Sequence, residues 1–433
     1  MESSHQKRRP LIIFLSSLIA LILIVSFIPN FTSILQSREI SILIWVDDQG
    51  LLEKSIQPII SDIEKSTGVR IVVETSPYNE LYDKIVNAWA TGKTWDIMAI
   101  DNSWIAEFVA AGQLAPVDKY FTTEIKENIV RASIEGATYN GSIYGFPYFA
   151  DIHTFYYNTE ILKAAGIEKP PQTWDEFIQY SLQIKEKELC EYPVAWSWIK
   201  GGPLSRDFFT IMFSFGGKIT EQGNYENGEL YFSDEAGLGA LNFMIDSFTK
   251  YNISDPESLT YREEDVLNLF SAGKTAFWLN CPYAPSILEN ENKSKVVGQW
   301  KTSLIPGLRS DMSGTIVYSM SYAISSASKE KDVAWEFIKS ITDESIQLKM
   351  VESQWIPTYK SVFDEPEAIR LNLGFPTMLK QFEYAMPKPN FIWWNQVSFL
   401  IETEIQKALN EEQTAEEALE NCMNAAENIR TST

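Results

Sequence analysis

The side chains best suited to chemistry in this chain are acids and amides that follow apolar runs. Asp47 and Asp48 follow one such run, Asp101 and Asn102 follow another, and Asp151 stands between two extended segments. Two carboxylates at a fixed separation can hydrolyse a glycosidic bond, and the same groups accept hydrogen bonds from sugar hydroxyls. Because no motif for hydrolysis accompanies them, we expect binding and keep a carboxylate-based glycosidase as the alternative.

Several sequence patterns of known catalytic sites are incomplete here. Gly273-Lys274-Thr275 ends like a phosphate-binding loop, but Asn268 stands where the first glycine belongs. The chain contains no G-x-S-x-G and no HExxH pattern. Of the two histidines, we expect His153 to be structural. We therefore expect no catalytic residue, no cofactor and no metal.

Aromatic residues are the second signal. The chain has 13 tryptophans, and an aromatic ring can pack against the C–H face of a sugar. Trp393 and Trp394 lie between prolines and a polar residue, and Tyr283 follows a turn after an apolar strand, so we predict ligand contacts for all three. Other tryptophans at predicted loops or strand ends are Trp45, Trp104, Trp196, Trp198 and Trp278. With the acids, they predict an acidic, aromatic cleft without evident basic groups.

Length and charge limit the classes of protein to which this chain can belong. A chain of 433 residues is long enough for two domains with their own cores. Its formal net charge of −22 argues against nucleic acid and anionic membrane surfaces as partners.

The N-terminus predicts export. Lys7, Arg8 and Arg9 precede an uncharged apolar run at 11–28, which is about long enough to cross a bilayer. The basic flank places that end in the cytoplasm and the rest of the chain outside. We interpret residues 1–38 as a cytoplasmic tip, a signal anchor or signal peptide, and a tether. The absence of an obvious cleavage motif after the run favours an uncleaved anchor.

The three cysteines, Cys190, Cys281 and Cys422, form no CxxC pair and no cluster with histidine. This spacing does not fit a zinc site or a disulfide framework. We expect isolated apolar thiols, with a single bridge left open.

Strands and helices alternate in the first part of the chain. The predicted strands are 40–46, 69–74 and 95–100, and the predicted helices are 51–67 and 81–90. This alternation predicts a mainly parallel α/β sheet. Ligands of such sheets gather at the carboxyl ends of the strands, where the acids and amides of the first two runs stand.

The segment 139–177 is the most specific pattern. Asn140-Gly141 predicts a type I′ turn, followed by extended runs at 143–147 and 153–158. A helix at 159–165 ends at Gly166, and Thr173 opens another with Glu176 as capping partner. Beyond it we predict helices at 174–187, 208–215, 233–251, 263–272, 331–341 and 399–428, with strands at 275–279 and 318–324.

This segment resembles the hinge region of the extracellular solute-binding proteins of ABC transporters, in the sugar-binding group that includes maltose-binding protein. The shared pattern is Y-N-G-x-x-Y-G-x-P followed by Y-Y-N-x-x-x-L-x-x-A-G-I-x-x-P-P-x-T-W-x-E. Four shorter stretches, at 91–97, 111–117, 270–283 and 334–341, are similar to the family in the same order.

The resemblance implies a two-lobed α/β fold of the periplasmic-binding-protein type II, with a ligand cleft between the lobes. The apolar run at 11–28 predicts an N-terminal transmembrane segment before them. Lobe 1 would comprise 39–150 plus 318–363, and lobe 2 would comprise 151–317 plus 364–433. The ligand contacts that it implies are Asp47, Asp48, Asp101, Asn102, Asp151, Tyr283, Trp393 and Trp394.

The implied function is capture of a carbohydrate by hinge closure and delivery to the permease subunits of an ABC importer. We expect a monomer that is not an enzyme. A ligand-sensing subunit is the other alternative. Because only the few residues before Leu11 would be cytoplasmic, such a subunit would need a partner chain to signal.

Overall fold

The computed structural model describes residues 38–46, 50–220, 230–280 and 282–432. Within these ranges no helix is both long and apolar enough to cross a membrane. The predicted span at 11–28 lies outside them, as do Asp47, Asp48 and Cys281.

The first third of the described chain alternates strands with helices, as predicted. Its strands are β1 Glu39–Trp45, β2 Arg70–Ser76, β3 Ile97–Asp101, β4 Thr138–Tyr139, β5 Ser142–Ile143 and β6 Gly145–Asp151. Its helices are α1 Leu51–Thr67, α2 Tyr78–Ala90, α3 Ile105–Ala110, α4 Thr123–Asn128 and α5 Arg131–Gly136. Helix α1 has its predicted bounds because Gly68, with φ 67°, takes the left-handed conformation that closes it.

The central part contains more helix than strand. Its strands are β7 Thr154–Asn158, β8 Phe277–Asn280, β9 Trp300–Ser303 and β10 Thr315–Ile324. Its helices are α6 Thr159–Ala165, α7 Trp174–Glu186, α8 Pro203–Ser214, α9 Glu235–Thr249, α10 Glu263–Ser271 and α11 Pro285–Leu288. Strand β9 was not predicted, because its exposed lysine and polar residues hide the pattern of a strand.

The C-terminal part is almost entirely helical. It comprises α12 Lys331–Ile341, α13 Glu344–Met350, α14 Lys360–Phe363, α15 Pro366–Leu371, α16 Phe375–Gln381, strand β11 Ala385–Pro387, α17 Trp394–Leu409 and α18 Ala415–Ser432. The predicted single stretch at 399–428 is two helices. Thr414 and Glu417 cap the second, since each backbone N–H donates to the other's side chain (2.9 and 3.2 Å).

A six-stranded sheet has the order β11-β10-β3-β1-β2, with β6 also paired to β10. Strands β2, β1 and β3 are parallel. Strand β10 runs antiparallel to both β3 and β6. The carboxyl ends of β1, β2 and β3 therefore open at one edge, as the alternation predicted.

The chain leaves this sheet through a hairpin and a crossing strand. Asn140 and Gly141 both have positive φ (48° and 74°), which the predicted type I′ turn requires. The predicted strand at 143–147 is instead divided between β5 and β6. Asp151, expected between strands, is the last residue of β6, because its backbone pairs with Tyr318 of β10.

A second sheet of three antiparallel strands, β8-β7-β9, follows the crossing. One hydrophobic cluster draws residues from 40–148 and 320–355 and surrounds the first sheet. Another draws residues from 155–316 and 391–426 and covers the second. These two separate cores define a two-lobed α/β molecule. We name the part around the first sheet lobe 1 and the part around the second lobe 2.

Two of the three cysteines are described. Cys190 and Cys422 are buried free thiols. Burial raises the pKa of Cys190 to about 11 and raises that of Cys422 as well. Both thiols match the expectation of isolated apolar cysteines.

The crossing strand depends on a glycine. A Cβ at Gly145 would lie 2.5 Å from the Cβ of Ser321 on the paired strand β10. Since both atoms are fixed by backbone, Gly145→Ala should cost about 1–3 kcal/mol of unfolding free energy. Gly374→Ala is the matched control, since its Cβ would meet only side-chain ends at 3.2 and 3.4 Å. Urea unfolding of both variants measures the difference. Equal stability would contradict the close approach of β6 and β10.

Candidate ligand-binding cleft

Aromatic rings form a wall at the carboxyl edge of the lobe 1 sheet. Trp45 ends β1 and stacks on Trp355 with ring centroids 4.9 Å apart. Tyr78 follows β2, with its ring 5.8 Å from Trp45 and 6.2 Å from Trp104. The side chain of Tyr78 is 44% exposed. This exposed ring, supported by the half-buried Trp45 and the buried Trp104, can stack on an apolar ligand face.

Asp101 ends β3 and holds this wall in place. Its Oδ2 accepts a hydrogen bond from the Tyr78 hydroxyl at 2.9 Å. Its Oδ1 accepts from the backbone N–H and hydroxyl of Ser103 (2.8 and 2.6 Å). The charge of Asp101 and burial raise the pKa of Tyr78, so the phenol remains a donor. Both Asp101 oxygens are used within the protein, and a ligand contact of this residue stays a prediction.

Asn102 is buried beside Asp101. Its Nδ2 donates to the Ser133 carbonyl at 3.2 Å, and its Oδ1 accepts from the Ser321 hydroxyl at 2.6 Å. The amide thereby joins the end of β3 to α5 and β10. Its predicted contact with a ligand is neither supported nor contradicted by these bonds.

Asp151 lies where the chain crosses to lobe 2. Its Oδ2 accepts a hydrogen bond from Nη2 of Arg206 at 2.9 Å. Its Oδ1 is buried and has no hydrogen-bond partner in the described part of the chain. A buried acceptor without a partner costs about 1–3 kcal/mol. This oxygen is therefore available to a donor from a bound molecule.

Two cations flank the ring of Tyr318 on β10. The guanidinium carbon of Arg206 lies 4.7 Å from the ring centroid, and Nζ of Lys388 lies 4.9 Å from it. Lys388 also donates to the Ser103 hydroxyl at 3.3 Å. The expectation of a cleft without basic groups was wrong. An arginine and an aspartate within the otherwise apolar helix α8 were a signal that sequence reasoning could have used.

His153 is buried at the start of β7, one residue before the strand. Its Nδ1 lies 3.0 Å from Oδ1 of Asp207, and its Nε2 lies 3.8 Å from Oε1 of Glu263. Asp207 also accepts from the indole N–H of Trp198 at 2.9 Å. Burial and the charge of Arg206 lower the pKa of His153, but Asp207 and Glu263 outweigh them and raise it. Burial raises the pKa of Asp207.

Glu402 positions the helix that carries Arg206 and Asp207. Its carboxylate accepts from the backbone N–H groups of Gly201, Gly202 and Ser205 (2.7, 2.8 and 3.2 Å). It also accepts from the Ser205 hydroxyl at 2.8 Å. These are the N-terminal donors of α8, which a helix cannot satisfy itself. Sequence reasoning missed this role, because the acceptor stands about 200 residues after the donors.

Tyr283 lines a cavity of about 410 Å³ on the face of lobe 2. The other lining residues are Ile199, Lys200, Gly201, Pro203, Arg262, Glu263 and Glu264. Because Glu263 also contacts Arg206 (3.8 Å), this cavity adjoins the charged crossing. The structure thus brings Tyr283 close to the Asp151 region.

Trp393 and Trp394 belong to the lobe 2 core. Trp393 stacks on Phe391 with centroids 4.7 Å apart, and Trp394 lies 5.6 Å from Phe209. Both are buried, so these contacts explain their presence without a ligand. Their predicted ligand role stays a prediction, as does that of Asp47 and Asp48.

The other tryptophans divide between cleft and core. Trp196, Trp198 and Trp278 are fully buried in lobe 2, whereas Trp45 and Trp104 lie behind the exposed Tyr78 ring. The sequence does not distinguish these groups, because both contain tryptophans within strands, Trp45 and Trp278.

A second cavity, of about 500 Å³, lies between the β4–β5 hairpin and the end of α8. Pro387 and Pro389 line it, while Lys388 between them points to Tyr318 and Ser103. This short segment separates the second cavity from the aromatic cleft. None of the predicted ligand contacts lines the second cavity.

Two lobes that meet at a polar crossing, with an aromatic wall on one of them, define a ligand-capturing protein. A profile of the bacterial extracellular solute-binding protein family matches residues 49–348. The chain belongs to this family. The family serves transport, and its binding domains act outside the cytoplasm.

Individual relatives are distant in sequence. The maltotriose-binding protein of Pyrococcus abyssi is 24% identical over 335 residues, which cover 74% of this chain and 67% of that protein. Maltose-bound T. maritima MalE3 is 25% identical with a TM-score of 0.71, over 90% of this chain and 99% of that one. The sugar-binding protein MalE of Xanthomonas citri is 18% identical with a TM-score of 0.78, covering 91% and 98%, and shows the shared fold.

The cap on α8 should be important for stability. Glu402→Ala leaves the N–H groups of the α8 terminus, including that of the buried Ser205, without their acceptor, and we expect a loss of roughly 2–3 kcal/mol. Gln406→Ala, one turn later on the same helix, is the control, because its side chain forms no hydrogen bond within the described part of the chain. Thermal and urea unfolding measure both. A Glu402→Ala loss no larger than that of the control would contradict the capping role.

The buried pair of His153 and Asp207 should make stability depend on pH. Both pKa values are raised in the folded protein, so the folded state binds more protons than the unfolded state. The stabilisation from His153 is complete below its unfolded pKa and is lost as pH rises through the folded value. Asp207 likewise stabilises the folded protein more at low pH. Its stabilisation is lost as pH rises from its ordinary pKa through its raised pKa in the folded protein.

The double variant His153→Gln/Asp207→Asn removes both titrations. We expect wild type to gain unfolding free energy relative to this variant as pH falls from 9 to 5. Urea unfolding across that range measures the gap. A gap that is constant or narrows toward pH 5 would show that the pair does not titrate as described.

Proposed function

We propose that this protein is the solute-binding component of an ABC importer, and that it captures a neutral carbohydrate by hinge closure and delivers it to a permease. One observation carries the proposal. An exposed aromatic ring, Tyr78, stands at the edge of the lobe 1 sheet, and a buried acceptor without a partner, Asp151 Oδ1, stands at the crossing between the lobes. A sugar offers an apolar C–H face to the ring and hydroxyl donors to the acid.

Charge compensation favours a neutral solute. Arg206 lies between Asp151 and Glu263, at 2.9 and 3.8 Å. Lys388 donates to Ser103, whose hydroxyl donates to Asp101. Since each cation already faces an acid or its hydrogen-bond partner, a phosphate ester would bring negative charge without an open counterion.

The lobes supply different parts of the site. Lobe 1 carries Tyr78 and Asp101, and lobe 2 carries Arg206 and Tyr283. A solute that contacts both sets binds the closed arrangement better than the open one. This difference in affinity drives closure around the solute.

The relatives support the class of solute. One is named for maltotriose and another was solved with maltose. Family membership supports a permease as partner, because solute-binding proteins of ABC transporters deliver to one. We further propose that residues 1–38 tether the binding domain to the membrane, as their basic and apolar pattern indicates.

The glycosidase alternative finds no support in the geometry. Asp101 accepts three hydrogen bonds from Tyr78 and Ser103. Its carboxylate is therefore committed to protein donors and is poorly placed to act as an acid, base or nucleophile. We propose a binding protein that is not an enzyme.

A melting-temperature screen tests the proposal. The panel contains maltose, maltotriose, mannitol and D-tagatose, with spermidine and glycerol 3-phosphate as charged competitors. At 100 times its Kd, a ligand adds about 2.7 kcal/mol of stability. We expect a neutral compound to raise the melting temperature. A rise with only spermidine or glycerol 3-phosphate would overturn the carbohydrate assignment.

Two variants at Tyr78 test the stacking contact. Tyr78→Ala removes the ring, and we expect affinity for the responding sugar to fall about 10–100-fold, as loss of roughly 1.4–2.7 kcal/mol implies. Tyr78→Phe keeps the ring and loses only the hydroxyl bond to Asp101. Calorimetric titration should show near wild-type affinity for this control. Equal losses in both variants would contradict stacking.

A further inference from the structure

Two paired strands of lobe 2 place polar side chains next to each other on one face of the sheet. In the antiparallel pair of β7 and β8, Thr154 lies directly opposite Asn280, and Tyr156 lies opposite Trp278. Directly opposed residues share one face of the sheet, with Cβ atoms about 4.5–5.5 Å apart. Since side chains alternate along a strand, all four lie on the same face.

Three of these residues have polar atoms without partners. The Thr154 hydroxyl, both amide atoms of Asn280 and the indole N–H of Trp278 are buried and form no hydrogen bond within the part of the chain described. All three residues are completely inaccessible. Each such group costs about 1–3 kcal/mol if it remains unpaired, so this row needs an explanation.

Three other buried indoles in the same lobe are satisfied. Trp174 donates to Ser214 at 2.8 Å, Trp196 to Ser254 at 2.8 Å, and Trp198 to Asp207 at 2.9 Å. Single unpaired hydroxyls occur elsewhere in lobe 2, at Ser181 and Thr275. The row on β7 and β8 is different, because its unpaired groups lie next to each other.

The row is at the end of the strands that meets the cleft. Thr154 follows His153, whose Nε2 lies 3.8 Å from Glu263. Asn280 ends β8, three positions before Tyr283. Glu263 and Tyr283 both line the cavity of about 410 Å³. Thr154 and Asn280 are fully buried and do not line that cavity themselves, but they stand at the strand ends near its lining residues Glu263 and Tyr283.

We propose that Thr154 and Asn280 form a polar recess that receives one hydroxyl-bearing end of the bound solute, with Asn280 as a specificity-determining residue. This inference rests on the proposed function and deepens it. A hydroxyl both donates and accepts, and so matches an amide that offers both kinds of atom. A solute without that hydroxyl would leave the buried amide unpaired and would be rejected. Water alone in the recess is the competing occupant.

The test uses a near-isosteric apolar substitution. Asn280→Leu removes groups that have no partner in the unliganded protein, so the unliganded melting temperature should stay unchanged or rise. Affinity for the sugar that responds among maltose, maltotriose and mannitol should fall at least tenfold. Differential scanning calorimetry and isothermal titration measure these two quantities on the full chain.

Thr275→Val is the matched control. Thr275 is also buried with an unpaired hydroxyl, but it precedes β8, at the end of the strand away from Asn280. This variant should likewise keep or raise the melting temperature, and its sugar affinity should equal that of wild type.

The outcomes separate the two proposals. A lower unliganded melting temperature for Asn280→Leu, or an unchanged sugar affinity, would overturn the recess and favour structural water. If wild type binds none of the three sugars, the carbohydrate assignment fails for them. The unliganded melting temperature of Asn280→Leu then still tests the recess. A fall contradicts the recess, and a rise supports the view that the polar groups of Asn280 are left unpaired for a solute.

Discussion

The ion pair between Asp151 and Arg206 is the contact on which the cleft depends. It joins the end of the crossing strand β6 to the first turn of α8, at an N–O distance of 2.9 Å. Arg206 is nearly buried there, so removal of either partner would leave a costly charge. The pair also brings Tyr318 and Glu263 into the same small region. Lobe 1, lobe 2 and β10 thus meet at one guanidinium.

The remaining contacts of the site support this meeting point from both sides. Glu402 fixes the start of α8, and His153 with Asp207 holds the same helix against β7. On the other side, Asp101 orients Tyr78 toward the cleft. The polar groups are mostly used to position one another. Oδ1 of Asp151 and the amide of Asn280 are among the exceptions, since both are buried without a hydrogen-bond partner in the described part of the chain.

Local patterns in the sequence predicted much of the fold. Helices α1, α6 and α12 have their predicted bounds, because glycine stops, caps and apolar periodicity act within a few residues. The type I′ turn follows from the φ preferences of Asn140 and Gly141. The two-lobed architecture followed from the family resemblance of the segment around that turn. Strands β9 and β11 were missed because they are short and their pairing partners are distant.

The site was harder to predict than the fold. Asp151 was identified as a residue of the crossing, yet its partner Arg206 was missed, because the two are 55 positions apart. Trp45 and Trp198 look alike in sequence, but one supports an exposed ring and the other is inside lobe 2. Only the tertiary packing shows which of these tryptophans lies near the cleft and which lies in the core.

The cap on α8 has a consequence for biosynthesis. The donors at Gly201 and Gly202 obtain their acceptor only when residue 402 is available, and the lobe 2 core takes residues up to Ala426. Contacts so far apart in sequence form slowly. Lobe 2 therefore cannot complete its fold while the ribosome still holds the last helices. A chain that must cross a membrane before it folds gains time from this arrangement, since its C-terminal residues reach the exterior last.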